Sequence, residues 1–156
     1  MELPFRVCFC SGEDLDYPSS ELNPENNAVG ARGWQTPRYC QYPMELGLEL
    51  VGPAAPHIQQ MKLLSHQSKI ASRVEIFVGD GPDYHSAAFN RLGYMSLDAN
   101  ERSRYQAREL KTVYLNLSAR FVRLLVHQCH LNKYNLFNQV GIVAITLLGD
   151  GGAGGP

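Results

Sequence analysis

Apolar and polar residues alternate with period two along most of this chain, the spacing of a strand with one face on a core and the other toward water. Met44, Leu46, Leu48 and Leu50 interleave with Glu45, Gly47 and Glu49, and Val74, Ile76 and Val78 interleave with Arg73, Glu75 and Phe77. Val113, Leu115 and Leu117 alternate with Thr112, Tyr114 and Asn116, as Val122, Leu124 and Val126 do with Arg123, Leu125 and His127. Phe5, Val7 and Phe9 predict a first strand, residues 57–66 another and residues 94–97 a short one. Residues 140–148 carry no charge and are rich in β-branched types, which suits a strand covered on both faces. About eight strands without heptads or internal repeats predict an all-β fold, an antiparallel β-sandwich of the jelly-roll kind.

Breakers fall between these runs. Residues 11–33 collect Pro18, Pro24, Asn26, Asn27, Gly30 and Gly33, and predict a long irregular loop of the kind that is functional or disordered. The GDGP turn at 79–82 ends a strand, and a short helical turn is compatible with residues 84–92 or 101–111. Ahead of the last strand, Asn132, Asn135, Asn138 and Gln139 crowd a polar loop, where side-chain amides either shape local backbone or face outward to recognise something. The closing GGAGGP reads as the start of a flexible linker at 151–156, leaving residues 1–150 as one domain. A chain of this size buries roughly 70% of its unfolded surface and needs no staples.

Charge narrows the partners. Fourteen Lys and Arg against fifteen Asp and Glu leave a net charge of -1, which gives no pull toward nucleic acid or acidic membranes. The N-terminal MELPFRVCFC has no basic start and long apolar run, so an intracellular chain without a membrane span is expected. In that compartment Cys8, Cys10, Cys40 and Cys129 read as free thiols packed as small hydrophobes, with Cys8 and Cys10 on one strand face.

Several clusters have the residue types for chemistry, each with a plainer reading. His127 and Cys129 of the HQCH run are metal-ligand types, but a site would need His66 brought to them from a distance. Glu13, Asp14, Asp16, Glu21 and Glu25 offer hard oxygens without a calcium-loop spacing, so no cofactor is expected and calcium is the one ion worth testing. Arg102, Arg104, Arg108 and Lys111, interrupted by Tyr105 and Glu109, read as a solvated basic face or a protein-binding patch. Trp34 suits core packing at a strand entrance better than a sugar platform. No GxSxG, P-loop, GxGxxG or HExxH is present, and no enzyme is expected.

The segments GWQTPRYCQYP (33–43), LLSHQSKIASRVEIFVG (63–79), RLGYMSLDANE (91–101), ARELKTVYL (107–115) and HLNKYNLFNQVGIVAITLLGD (130–150) resemble the N-terminal domain of the centrosomal protein of 104 kDa family. That resemblance implies a jelly-roll sandwich of the galactose-binding-like, or discoidin-like, type. In the family it is followed by a coiled coil, a tubulin-binding TOG domain and zinc fingers. It further implies a microtubule-associated protein that supports cilium assembly, placed in the cytoplasm and cytoskeleton at the cilium tip and the centriole or basal body. The partners implied are proteins of the ciliary tip or centriole, tubulin among the candidates, with no nucleic acid and no membrane insertion. Sandwiches of this type bind through the loops at one end. The leading expectation is therefore a non-catalytic interaction module whose rim comprises Asn132, Lys133, Tyr134 and Asn135, flanked by His66 and Arg38, with Arg108 and Lys111 as a second patch. The alternative is a small-ligand module of the carbohydrate-binding class, stacking on Trp34 or Tyr134 with calcium ordering its loops. A third reading is a passive spacer or self-association unit.

Overall fold

Nine strands form among residues 1–26 and 32–150, which the computed structural model describes. They are β1 (Phe5–Cys10), β2 (Trp34–Gln35), β3 (Met44–Leu50), β4 (His57–Ser65), β5 (Arg73–Asp80), β6 (Ala88–Ser96), β7 (Leu110–Ser118), β8 (Phe121–Val126) and β9 (Gly141–Asp150). The GGAGGP tail, Asn27 and Gly30 lie outside the described residues. All strands pair antiparallel, in a five-stranded sheet of order β1-β3-β8-β5-β6 and a four-stranded sheet of order β2-β9-β4-β7. The inner rows meet as the alternation predicts: Leu46, Leu48, Leu50, Val74, Val122 and Leu124 pack against Ile58, Met61, Leu63, Ile145 and Leu147. Burying each such Leu or Ile stabilises the fold by about 1.5–3 kcal/mol. No helix among the described residues is long and apolar enough to cross a membrane.

Three local expectations need correction. In β1 the register shifts between Val7 and Phe9, so that Val7 pairs with Leu48, Phe9 with Gly47 and Cys10 with Leu46. The extra residue, Cys8, turns Phe9 outward and Cys10 onto the core, so the two cysteines do not share a face. Strand β6 begins at Ala88, six residues before the predicted start and across the segment compatible with a helical turn. As a sheet edge it exposes most of its side chains, which erases the apolar alternation that reveals other strands. Strand β9 is fully covered on one face only, because Ala144, Thr146 and Leu148 are half-buried while Ile145 and Leu147 are buried.

The outer face of the five-stranded sheet carries its own small cluster. Tyr84 folds back over Gly47, where any Cβ would lie 2.5 Å from the tyrosine ring. Its hydroxyl donates to Glu45 Oε2 at 2.7 Å, and its ring stacks on Phe9 and meets Phe89 and Phe121 edge-on.

Strand direction decides where the loops gather. The ends of β1, β4, β6 and β8 and the starts of β3, β5, β7 and β9 lie together, so the described parts of loop 11–33 (11–26 and 32–33) and loops 36–43, 66–72, 97–109 and 127–140 share one end. The opposite end has the shorter links 51–56, 81–87 and 119–120.

Candidate functional site

The loop end is built in two layers, the lower one of amides. Asn132 Oδ1 accepts the backbone N–H groups of Tyr134 and Asn135 at 2.9 and 3.0 Å, and its Nδ2 donates to Ser68 O at 2.8 Å. Asn135 is buried, donates from Nδ2 to Gln139 O at 2.7 Å and accepts from Gln139 N at 2.9 Å. Gln139, also buried, donates from Nε2 to Asp14 Oδ2 at 2.9 Å and Thr36 O at 2.7 Å. Its Oε1 accepts from Lys69 Nζ at 3.1 Å, and Lys69 also donates to Gln35 Oε1 at 2.7 Å. Four loops are thereby tied together. Asn132 and Asn135, expected on a recognition rim, are occupied inside the molecule. A long loop without ladder partners satisfies its backbone through side chains, and these amides do that work.

His66 belongs to the same layer and not to an open rim. Its Nδ1 accepts the N–H groups of Ser68 at 3.1 Å and Lys69 at 3.0 Å. Burial first, then the charges of Lys69 and Arg108, push its pKa down to about 4. The ring is neutral at pH 7 and carries its proton on Nε2, because both donors point at Nδ1. Burial likewise lowers the Lys69 pKa. The Asp14 carboxyl is held below its ordinary value chiefly by the Asp16 N–H, then by the Gln139 amide and the charges of Arg38 and Lys69.

The upper layer is apolar and aromatic. Leu15, Tyr39, Leu131, Tyr134 and Leu136 project from three of the loops with exposures from 54% at Tyr134 to 95% at Leu15. Tyr39 is strapped to loop 127–140 by its N–H to Phe137 O at 2.8 Å and its hydroxyl to Leu136 O at 3.2 Å. The Arg38 guanidinium lies 4.1 Å over the Phe137 ring, with Nε 4.0 Å from Asp14 Oδ2. Tyr134 meets Tyr105 edge-on at 5.3 Å, and Lys133 Nζ sits 5.2 Å from the Tyr134 ring centre. A shallow cleft of Gln67, Ser68, Arg104, Tyr105, Gln106 and Tyr134 opens beside this pair. Tyr39, Arg104 and Tyr105 hold φ of 54°, 57° and 61°, a left-handed backbone that costs roughly 1–2 kcal/mol per non-glycine residue. Such strain concentrates at ligand-contacting segments.

Of the predicted rim, Lys133, Tyr134 and Arg38 thus reach the surface, while Asn132, Asn135 and His66 support it from below. The second patch does not form as one unit. Arg108 Nε donates to Gln67 Oε1 at 2.9 Å beside the cleft, whereas Lys111 lies opposite Leu63 on the core-facing row of β7 and pairs with Glu109 at 3.7 Å. Leu15, Tyr39, Leu131 and Leu136 were missed, while Tyr105, read as part of the basic stretch, meets Tyr134 instead. Large apolar residues inside a loop rich in asparagine were the available signal for Leu131 and Leu136.

The remaining clusters disperse. His127 Nε2 meets Glu75 Oε1 at 2.5 Å, His130 Nε2 meets Leu97 O at 2.8 Å, and Cys129 is buried in a bridge to Ala71. Glu75 also takes Arg91 Nε at 2.8 Å, and that bond first, with His127 second, keeps its carboxyl low. Among the described residues no three His, Cys, Asp or Glu side chains gather where a metal can sit. In the early loop Glu13 Oε1 instead accepts the Ser19 N–H at 2.9 Å. All four thiols are free, and burial pushes Cys8 up to about 11. Trp34 is buried and donates from Nε1 to Gly12 O at 3.1 Å, which removes it as a sugar platform.

Comparison with known proteins gives the same architecture and a specific kinship. The family 32 CBM from C. perfringens NanJ in complex with galactose superimposes with a TM-score of 0.68 at 12% identity, covering 94% of this chain and 98% of that one. Reduced XRCC1 bound to the DNA pol beta catalytic domain follows with a TM-score of 0.66 at 14% identity, covering 97% and 100%. Identities this low show the fold alone: a jelly-roll sandwich of the galactose-binding-like type. The human and mouse proteins called Centrosomal protein of 104 kDa are 39% and 38% identical over 154 residues, which is 96% of this chain and 16% of theirs. This chain therefore spans only a small part of the length of those relatives. The family described as "Centrosomal protein CEP104, N-terminal domain" matches residues 33–149, and the chain belongs to that family.

Proposed function

We propose that this chain is a non-catalytic protein-interaction module that docks a partner through its loop end, within a centrosomal protein acting at the tips of cilia and centrioles in cilium assembly. The observation that supports it most is the exposed set Leu15, Tyr39, Leu131, Tyr134 and Leu136 on a base of occupied amides. Tyr and Arg anchors held rigid by a satisfied lower layer lose little freedom on binding, which is how interface hot spots concentrate energy. Arg104, Arg108 and Lys133 on the Tyr134 side favour an acidic protein surface there, while Glu13, Asp14 and Asp16 border Leu15. Tubulin is the first probe.

The test is binding of purified tubulin, and capture from ciliated-cell extract, by the wild-type chain and by a Tyr134→Ser, Leu136→Ser double variant. A loss of tenfold or more in the double variant, with the melting temperature within about 2 °C of wild type, is the expected result. Undiminished binding by the variant overturns the docking surface. The carbohydrate reading draws on the galactose complex of the structural neighbour and on the Tyr105–Tyr134 cleft. A melting shift with galactose that vanishes in Tyr134→Ser would favour it over the protein reading.

A further inference from the structure

A sandwich has four sheet edges, and three of these are guarded. The outer side of β1 is covered by the Ser19–Leu22 turn, with Asn23 Oδ1 accepting the Val7 N–H at 2.7 Å. Strand β2 is two residues long. Strand β6 is broken at its middle by a register shift opposite Ile76 and Phe77, beside Arg91 and a Gly93 at φ 152°. Each device blocks edge pairing. Strand β7 is neither covered, short nor bulged over its first half, and its one charge there, Lys111 on the core-facing row, is paired with Glu109: from Leu110 opposite Leu64 to Tyr114 opposite Gln60 its register is regular, and the bulge comes only afterwards, with Asn116 at φ 51°.

We propose that this stretch of β7 pairs antiparallel with the same stretch of a second copy of the chain, about a two-fold axis through Thr112. The main-chain phase permits it. Ser65 N donates to Glu109 O at 2.9 Å, so in an antiparallel ladder Glu109, Lys111 and Val113 direct their backbone groups to β4. Leu110, Thr112 and Tyr114 then direct theirs to the open side. A two-fold at Thr112 sets Thr112 against itself and Leu110 against Tyr114 of the other copy, closing roughly six hydrogen bonds with no donor of the stretch left over.

The side chains are self-complementary in that register and in no need of a foreign partner. On the outer face Leu110 and Tyr114, 56% and 77% exposed, become cross-strand neighbours on both sides of the axis. On the inner face Lys111 lies opposite Val113 of the other copy and, on the diagonal, roughly 8 Å from that copy's Lys111, and each lysine carries its own Glu109 partner against the repulsion. The nearest other cation on the outer face, Lys62, neighbours Thr112 and would stand about 14 Å from its own copy, three strand spacings and more than a Debye length away. The two four-stranded sheets would run on as one. The loop-end docking surface plays no part in this contact.

Sedimentation of the 156-residue chain across roughly 10 μM to 1 mM tests it. The expected mass climbs from 17.4 kDa toward twice that value. Thr112→Pro removes an outward N–H while leaving the β4 ladder intact, and should weaken the dimer at least tenfold with little change in melting temperature. Oxidative cross-linking decides the register even if the proline variant misfolds. Thr112→Cys sits about 5.5 Å from its own copy between Cα atoms, within disulfide reach, and Leu110→Cys about 14 Å away. Rapid cross-linking of Thr112→Cys alone supports the two-fold. A wild-type mass that stays at 17.4 kDa, or equal cross-linking from Leu110→Cys, overturns it. The Tyr134→Ser, Leu136→Ser variant should dimerise as wild type does, which keeps this result separate from the fate of the docking surface.

Discussion

The two layers of the loop end invert the usual distribution of polarity. In the strands the apolar residues point in and the polar ones out, because ladder hydrogen bonds have already satisfied the backbone. In loop 127–140 the amides of Asn135 and Gln139 are buried while Leu131, Tyr134 and Leu136 stand in solvent. A segment without a ladder must bring its own donors and acceptors inside. Leu131, Tyr134 and Leu136 are displayed above that satisfied base.

That contrast can be broken by experiment. The largest expected effect is in the lower layer: Gln139→Leu leaves Thr36 O a buried orphan at about 1–3 kcal/mol and takes one partner each from half-buried Asp14 and Lys69, which keep the Asp16 N–H and Gln35 Oε1. Calorimetry should show the melting temperature falling by about 6 °C, given roughly 2–4 °C per kcal/mol for a domain of this size. A fall under about 2 °C would mean that the amides are ornamental. The upper-layer double variant at Tyr134 and Leu136 comes next, with its tenfold binding loss and unchanged melting.

His66 sharpens the comparison through pH. Its folded pKa of about 4 lies below the ordinary value near 6.5, so the unfolded chain binds the proton more readily. The contribution of the neutral ring is full above pH 6.5 and is lost as pH falls through 4. Urea unfolding between pH 7 and 4 should therefore show a decline in stability that is shallower in His66→Asn, which keeps an acceptor but does not titrate. An equal slope in both proteins would remove His66 from the lower layer's energetics. Smallest of all is Lys133→Glu. A rim charge tunes encounter more than affinity, so the association rate should drop a few-fold at low salt and recover at high salt, with stability unchanged.

Much of the fold was legible in residue order. The rows Met44 to Leu50, Val74 to Val78 and Val122 to Val126 announce their strands, since a period-two pattern is a local consequence of one face being buried. Edge strand β6 was cut short because neither of its faces is deeply buried, and the bulge at Cys8 escaped because an inserted residue changes pairing and not composition. At the site, Lys133, Tyr134 and Arg38 were legible as exposed binding types in a loop. The fate of Asn135 and His66 was not, because their partners Gln139, Ser68 and Lys69 become neighbours or donors only once the loop has closed.

Local order of greasy and wet side chains was sufficient to choose strands, an antiparallel sandwich and the membership that the string HLNKYNLFNQV carries. Which amides would be consumed, which leucines displayed and which edge left open came from the meeting of segments far apart along the chain. Gln139 finds Lys69, Thr36 and Asp14 across separations of 70, 103 and 125 residues, and β7 is an edge because the sheet order β2-β9-β4-β7 ends on it. Hydrogen-bond satisfaction is settled by proximity in space, and no periodicity along the chain encodes it.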